Sequence, residues 1–347
     1  MVQILSVTQP LGPNETDVAN LELGTDALEA SEALDRVLIG YSSIWPHNHA
    51  YAPYMLARSK RLSLIVAHRP GVMDPAAAAR YFSTLDVVAR GRLAINLVTG
   101  GADKDIHREG DYTAKEERYE RAIEYLDVMR QVWTDPESFD HKGTFYTEEN
   151  VKQLVRPLQG QVPIYMGGDS DSAVDFGARH ADMYMLWGEP LAGTTERIAN
   201  VNAAAVKYDR SPQFSLSLRL FLGETDAEAW EKAHVVEQMI VDAQGSNTFM
   251  RSASTDRSVG RERQLAFAEE ELHDDCFWTR LVSLLGGFAN SAALVGTPDR
   301  VLESLRKYRD LGVDAFLFTA GPFGIWDAEL EPFLRRVKRE LSQPSPE

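Results

Sequence analysis

Residues 162–190 read VPIYMGGDSDSAVDFGARHADMYMLWGEP. The short apolar run Pro163–Met166 has the character of a strand buried on both faces, and it stops at Gly167 and Gly168. A helical pattern then runs from Ser170 to Arg179, and a second apolar run, Met183–Leu186, follows. Strand, helix, strand is the repeating unit of a parallel sheet.

The same rhythm continues in both directions. Further strand candidates are Gln3–Val7, Arg36–Ile39, Leu62–Ala67, Leu93–Val98, Phe214–Leu222 and Ala315–Phe318, which makes eight. Helical patterns cover Asp74–Ala89, Glu116–Val132, Thr194–Lys207, Asp226–Asp242, Thr297–Leu311 and Ala328–Leu341. Asp74 precedes Pro75, and Thr297 precedes Pro298, as an N-cap precedes the first helical position. Gly312 suits the left-handed residue that ends a helix. A doubly wound sheet is the rival architecture, but its first strand usually leads into GxGxxG, and here TQPLGPNE follows. The reading is therefore an α/β fold, a (β/α)8 TIM barrel formed by residues 1–347 as one domain. Residues Gly245–Gly287 interrupt it between the seventh and eighth strands. This stretch is polar, Ser-rich and Arg-bearing at its start, and is expected to be a lid.

The chain has 347 residues, 44% of them hydrophobic and 25% charged, with a formal net charge of −16. Such a charge repels phosphate backbones, so no nucleic-acid partner is expected. No apolar run is long enough to span a bilayer, and the N-terminus resembles no secretory signal, so a cytoplasmic protein is expected. Cys276 is the single cysteine, which rules out an internal disulfide and a cysteine-based zinc site; it reads as an inert, buried thiol.

Barrel active sites lie at the C-terminal ends of the strands. Gly167, Gly168, Asp169 and Ser170 can form a phosphate cradle, because glycines admit a close approach and a helix start offers free N–H groups. They can equally be a plain capped turn, with Asp169 as the cap. At the end of the fourth strand, Asn96, Thr99, Gly100 and Gly101 can hydrogen-bond a flat heterocycle or simply turn the chain. His47 and His49 sit two apart, too few ligands for zinc without a nearby carboxylate or thiol, and no metal is expected.

Several longer stretches carry a family resemblance: RLSLIVAHRPGVMDPAAAARYFSTLDVVARGRLAINLVTGG, ERYERAIEYLDVMRQVW, VPIYMGGDSDSAVDFGARHADMYMLWGEP, LGETDAEAW and ALVGTPDRVLESLRKYRDLGVDAFLF. In this order, from about Arg61 to Phe318, they resemble the bacterial-luciferase-like flavin monooxygenases, on the alkanesulfonate monooxygenase side. The resemblance implies a two-component enzyme that uses reduced FMN, delivered by a separate NAD(P)H-dependent reductase, and O2. It implies insertion of one oxygen atom into a small organic substrate through a flavin peroxide, in a homodimer or homotetramer. By motif, Asn96, Thr99, Arg118 and Tyr119 should flank the isoalloxazine. Gly167, Gly168, Asp169 and Ser170 should hold the phosphate, and Trp187 should line the pocket.

The substrate half departs from that group. Trp45 or a near neighbour stands where those enzymes carry a cysteine. Ser217 and Arg219 replace an Arg-x-His pair, Leu285 replaces an arginine before Gly286, and Gly321 replaces a tyrosine. Substrate chemistry is then left to Arg219, His47 and Trp45, with Tyr41 and His68 in the pocket and Arg69 beside them. A histidine here can donate a proton or hydrogen bond near the flavin, or be a solvated loop residue. His68 can instead serve the loop His68–Gly71. Arg219, if inward, needs an anionic partner such as a substrate carboxylate or Glu189; if outward, it is structural. Two alternatives share the fold, an F420-dependent oxidoreductase performing hydride transfer and a non-catalytic flavin-binding barrel.

Overall fold

In the computed structural model, residues 1–9, 12, 17–101, 103–246, 258–287, 291–319 and 328–342 are described, without the side chains of 243–246 and 328. The strands are β1 (Gln3–Thr8), β2 (Arg36–Ile39), β3 (Leu64–His68), β4 (Leu93–Leu97), β5 (Phe139–Lys142), β6 (Thr147–Val151), β7 (Ile164–Met166), β8 (Met183–Trp187), β9 (Gln213–Leu222), β10 (Leu272–His273), β11 (Phe277–Trp278), β12 (Ala293–Gly296) and β13 (Ala315–Thr319).

Eight of these are parallel in the order β1-β2-β3-β4-β7-β8-β9-β13, and β13 pairs with β1 to close the barrel. They are the eight strands expected from the apolar runs, with ends shifted by a residue or two. Side chains alternate in and out along each strand. Leu5, Ile65, Ala94, Tyr165, Met183, Ala315 and Leu317 form one cluster inside the barrel. Their neighbours Ile4, Leu64, Val66, Leu93, Ile95 and Leu97 belong to the larger cluster under the helices. Both faces are buried, which is why these strands read as continuous apolar runs.

The expected helix ends are largely kept. Pro75 opens the helix Pro75–Val88 after Asp74, although the Asp74 side chain makes no cap bond. Thr297 caps Pro298–Asp310 by accepting the Arg300 N–H, and Gly312 has φ 105°. Helices Ala19–Ala30 and Asn48–Arg58 were not legible: Gly24 interrupts one and Pro53 lies inside the other. The hairpin β5–β6 was also missed, because its polar, half-exposed strands lack an apolar run. Glu124 fixes its tip by accepting N–H bonds from Thr144, Phe145 and Tyr146.

The interruption between the seventh and eighth barrel strands has a structure of its own. It includes the helix Val259–Phe267, the antiparallel pair β10–β11, a helix Arg280–Leu284 and β12. β12 pairs with the last residues of β9, from Arg219 to Leu222, beyond the part of β9 that pairs with β8. Phe221, Ala229, Ala233, Trp278, Leu281 and Val295 give this region a second apolar cluster. Residues 247–257 and Gly321 lie outside the described residues.

Candidate active site

A cavity of about 400 Å³ opens at the C-terminal end of the barrel. Its inner wall comes from Leu38, Asn96, Met185, Ser215, Ser217 and Leu317. The loop after β4 adds Val98 to Gly101, and the turn after β7 adds Gly167 to Ser170. Tyr119 and Trp187 complete the set that the sequence singled out. Asn96, Thr99, Tyr119, Gly167, Gly168, Asp169, Ser170 and Trp187 therefore face one space, although they come from four separate parts of the chain.

The turn after β7 is built tightly. A Cβ on Gly167 would stand 2.2 Å from the Met185 carbonyl oxygen, so only glycine fits. Gly168 has φ 154°, and a Cβ there would approach the Ala173 Cβ to 2.7 Å. The Gly168 carbonyl accepts bonds from the Tyr184 hydroxyl at 2.6 Å and from Arg197 at 2.9 Å. The next N–H, that of Asp169, points the opposite way across the trans peptide. Ser170, not Asp169, is the N-cap of the helix Asp171–His180, and its hydroxyl accepts the Ala173 N–H. The N–H groups of Asp171 and Ser172 have no acceptor within the helix. Asp169 is turned into an ion pair with Arg197 at 2.9 Å. Burial raises the Asp169 pKa, while Arg197 and Arg263 oppose the shift.

Some wall residues were not foreseen. Lys115, at the first position of the helix Lys115–Thr134, brings a cation to the cavity, and only its place just before ERYERA could have marked it. Ser217 was read as a lost arginine. Its buried hydroxyl faces the cavity and has no hydrogen-bond partner, and neither has the Thr319 hydroxyl on the neighbouring strand. Ser258, Val259 and Gly260 bring the insertion onto the cavity. A Cβ on Gly260 would meet the Asp169 carboxylate at 2.2 Å and the Trp187 ring at 3.3 Å. The same helix is held by Arg263, 2.7 Å from Glu189 and 2.9 Å from Glu196, and by Gln264, which donates to the Gly188 carbonyl at 3.0 Å.

The remaining expected residues lie outside the cavity wall. Arg118 is buried behind it, paired with Asp103 at 3.1 Å and donating to the Thr113 carbonyl. His68 is an outward residue of β3, fully buried under the helices, where it bonds the Tyr125 hydroxyl at 2.6 Å and meets His49 at 3.4 Å. Outward parity on β3, like that of Leu64 and Val66, takes it away from the pocket. His49 is not a loop residue either; it lies in the first turn of Asn48–Arg58 and is buried. Burial pushes its pKa down to about 4.

Tyr41, Trp45 and His47 follow β2 at the same mouth. The Tyr41 hydroxyl donates to Glu109 at 2.7 Å, and the Arg69 guanidinium sits 5.3 Å from its ring. Partial burial lowers the His47 pKa, which favours the neutral imidazole. Arg219 has the strand parity of Ser215 and Ser217 on β9, two residues nearer the C-terminal end, and is buried. Burial lowers its pKa to about 10, which leaves it charged. Among the described residues, no group of three or more His, Cys, Asp or Glu is placed to hold a metal ion. None of the described helices is long and apolar enough to cross a membrane.

Comparison with known proteins narrows the identity. Solved structures share the fold at low sequence identity. EDTA monooxygenase from Chelativorans sp. BNC1 matches with a TM-score of 0.76 at 18% identity, over 98% of this chain and 93% of that one. The oxygenating constituent of 3,6-diketocamphane monooxygenase from Pseudomonas putida, solved in complex with FMN, gives 0.69 at 17% identity, over 97% and 96%. An F420-dependent secondary alcohol dehydrogenase gives 0.69 at 14%, over 99% of both chains. The profile of the luciferase-like monooxygenases matches residues 22–315. With most of its length matched and the barrel closed as that fold requires, the chain belongs to the luciferase-like monooxygenase family and is an oxidoreductase.

Proposed function

We propose that the protein is a flavin-dependent monooxygenase of the two-component kind, with reduced FMN seated in the cavity at the C-terminal end of the barrel. The observation that carries this reading is the convergence of the Gly167–Ser170 turn, Asn96, Thr99, Tyr119 and Trp187 on one space. The residues fit the cofactor. A glycine turn with free helix N–H groups suits a phosphate, and the half-buried Lys115 adds a positive charge. The unpartnered Ser217 hydroxyl offers a hydrogen bond deep in the cavity to a polar heterocycle.

Bound reduced FMN supplies two electrons to O2, of which one atom enters the substrate and the other leaves as water. The chain does the rest. Asn96 and Thr99 orient the ring system, and Trp187 with Met185 provides an apolar wall. Arg219, His47 and Trp45 face the substrate from the mouth, and neutral His47 can pass a proton to or from it. Tyr41 and the buried Arg118 and His68 support the positions of these groups. The helix Val259–Phe267 keeps water from the cavity, as oxygen-activating sites require. A separate NAD(P)H-dependent reductase supplies the reduced flavin.

Anaerobic titration tests the reading. Reduced FMN should bind saturably, and Gly168→Asp with Ser170→Ala should weaken it at least tenfold, about 1.4 kcal/mol. The likeness to the F420-dependent dehydrogenase supports a second reading, hydride transfer to or from F420. Tight binding of F420 with no affinity for FMN would establish that reading instead.

A further inference from the structure

The opposite end of the barrel holds a second concavity, of about 510 Å³. It is lined by the N-terminal ends of strands: Gln3 on β1, Arg36 on β2 and Gln213 on β9. Arg130, from the helix Lys115–Thr134, and Arg210, just before β9, reach over it. Three guanidinium groups thus converge on one hollow in a chain whose net charge is −16.

One carboxylate, Asp182, also lines the hollow, against three guanidinium groups. Asp182 pairs with Arg210 at 2.8 Å and accepts the Ile164 N–H at 2.8 Å. Asp35 pairs with Lys338 at 2.7 Å and accepts the Ile4 N–H. Arg130 donates to the His180 carbonyl, a neutral acceptor. Arg36 makes no ion pair, and its Nη1 is buried without a hydrogen-bond partner, as are the Nε atoms of Arg130 and Arg210. A buried donor left unmatched destabilises the fold, and more so when it carries charge. Burial pushes the Arg130 pKa down; Asp182 and Asp127 oppose the shift, and Arg210 and Arg179 add to it.

We propose that this hollow binds a phosphoryl oxyanion on the face of the barrel opposite the active site, with Arg36, Arg130 and Arg210 as its ligands. Guanidinium forks match phosphoryl oxygens in geometry and charge. The hollow is within the size range of small-metabolite pockets and larger than a lone phosphate needs, so a phosphorylated metabolite is the occupant it fits. The amides of Gln3 and Gln213 can hydrogen-bond the remainder of such a molecule.

Isothermal titration calorimetry of the full chain at low ionic strength, with inorganic phosphate and with adenosine 5′-monophosphate, tests this. Saturable binding is expected, weakened at least tenfold by Arg36→Gln, with Arg36→Lys between the two because it keeps the charge and loses the fork. The Arg36 side chain makes no hydrogen bond or ion pair with the described residues, so R36Q should melt as the parent does; Arg210→Gln is the second variant. Because the turn at Gly168 could also take phosphate, Gly168→Asp is titrated in parallel and should keep the binding. Tighter binding of the nucleotide identifies a phosphorylated metabolite as the source, and tighter binding of phosphate identifies the free ion. No saturable binding of either, or binding lost in G168D and kept in R36Q, overturns the proposal.

Discussion

Arg197 lies 2.9 Å from the Asp169 carboxylate and 2.9 Å from the Gly168 carbonyl, so one guanidinium holds both residues of the turn that faces the cavity. An ionised carboxylate beside a bound phosphate would repel it. The ion pair offsets that conflict by countering the charge of Asp169 where it lines the cavity. Arg197→Met should therefore weaken reduced-FMN binding at least tenfold in an anaerobic titration. Asp169→Asn in the same chain should recover most of the loss, because the repulsion goes with the charge. If the double variant binds no better than R197M, Arg197 serves only to shape the turn.

Arg263 seats the insertion helix through Glu189, whose pKa is raised by burial against the pull of Arg263. Arg263→Met should loosen the helix Val259–Phe267 from Gly188 and Trp187 while leaving the phosphate turn intact. Water then reaches the cavity. The expected result, with a partner reductase, is more hydrogen peroxide released per NADH consumed and an unchanged affinity for reduced FMN. Glu189→Gln should behave alike, since it removes the other half of the pair. Unchanged coupling in both variants would separate this helix from water exclusion.

Acid should destabilise the fold through its buried histidines. Burial pushes His180 down to about 3, aided by Arg130, Arg179 and Arg210, and holds His49 at about 4 and His68 well below its usual value. Each folded pKa is depressed, so the folded state keeps these rings neutral while the unfolded chain protonates them near 6.5. Their contribution is full above that value and falls as pH drops toward the folded values, by up to about 1.4 kcal/mol per pH unit for each ring. The carboxyls of Asp169 and Glu189 shift upward and act in the opposite sense, and the histidine window opens below about pH 6.5. Urea midpoints should decline across it, and His180→Gln should reduce the slope. A flat profile would contradict this.

The barrel was legible because eight apolar runs alternate with capped helices, and runs buried on both faces need no tertiary information to be seen. Asn96, Thr99, Tyr119, the Gly167–Ser170 turn and Trp187, which line the cavity, could be singled out in the sequence because each sits within four residues of a strand or helix end. Parity was harder. His68 ends a strand as Asn96 nearly does, but Asn96 points into the barrel and His68 out of it. A one-residue difference in register decides between a pocket wall and a buried stack, and no local pattern in AHRPG marks it. Lys115 and Gly260 reach the cavity through helix placement and the insertion, which only the folded chain defines.

The last prediction concerns substrate choice. A sulfonate presents three oxygens and a full charge, and a site for it needs several convergent donors. Where the resembling alkanesulfonate monooxygenases carry arginines, this chain has Ser217 and Leu285. Ser217 offers one hydroxyl to the cavity, and Leu285 packs on the apolar cluster around Trp278. Among the described residues the cation in the cavity wall is Lys115, and Arg219 lies two residues beyond Ser217 on β9. Leu38, Met185, Leu317 and Trp187 make the remaining wall largely apolar. Such a space favours a substrate with a hydrophobic or aromatic body and at most one anionic group, held by Arg219. Short alkanesulfonates should therefore turn over poorly in an assay with reductase, NADH and FMN that measures sulfite release. Arg219→Met should raise the KM for an anionic aromatic substrate more than for its neutral analogue. Efficient sulfite release, with kcat/KM above roughly 10⁴ M⁻¹s⁻¹, would show that Arg219 and the loop Tyr41–His47 rebuild a sulfonate site by another route.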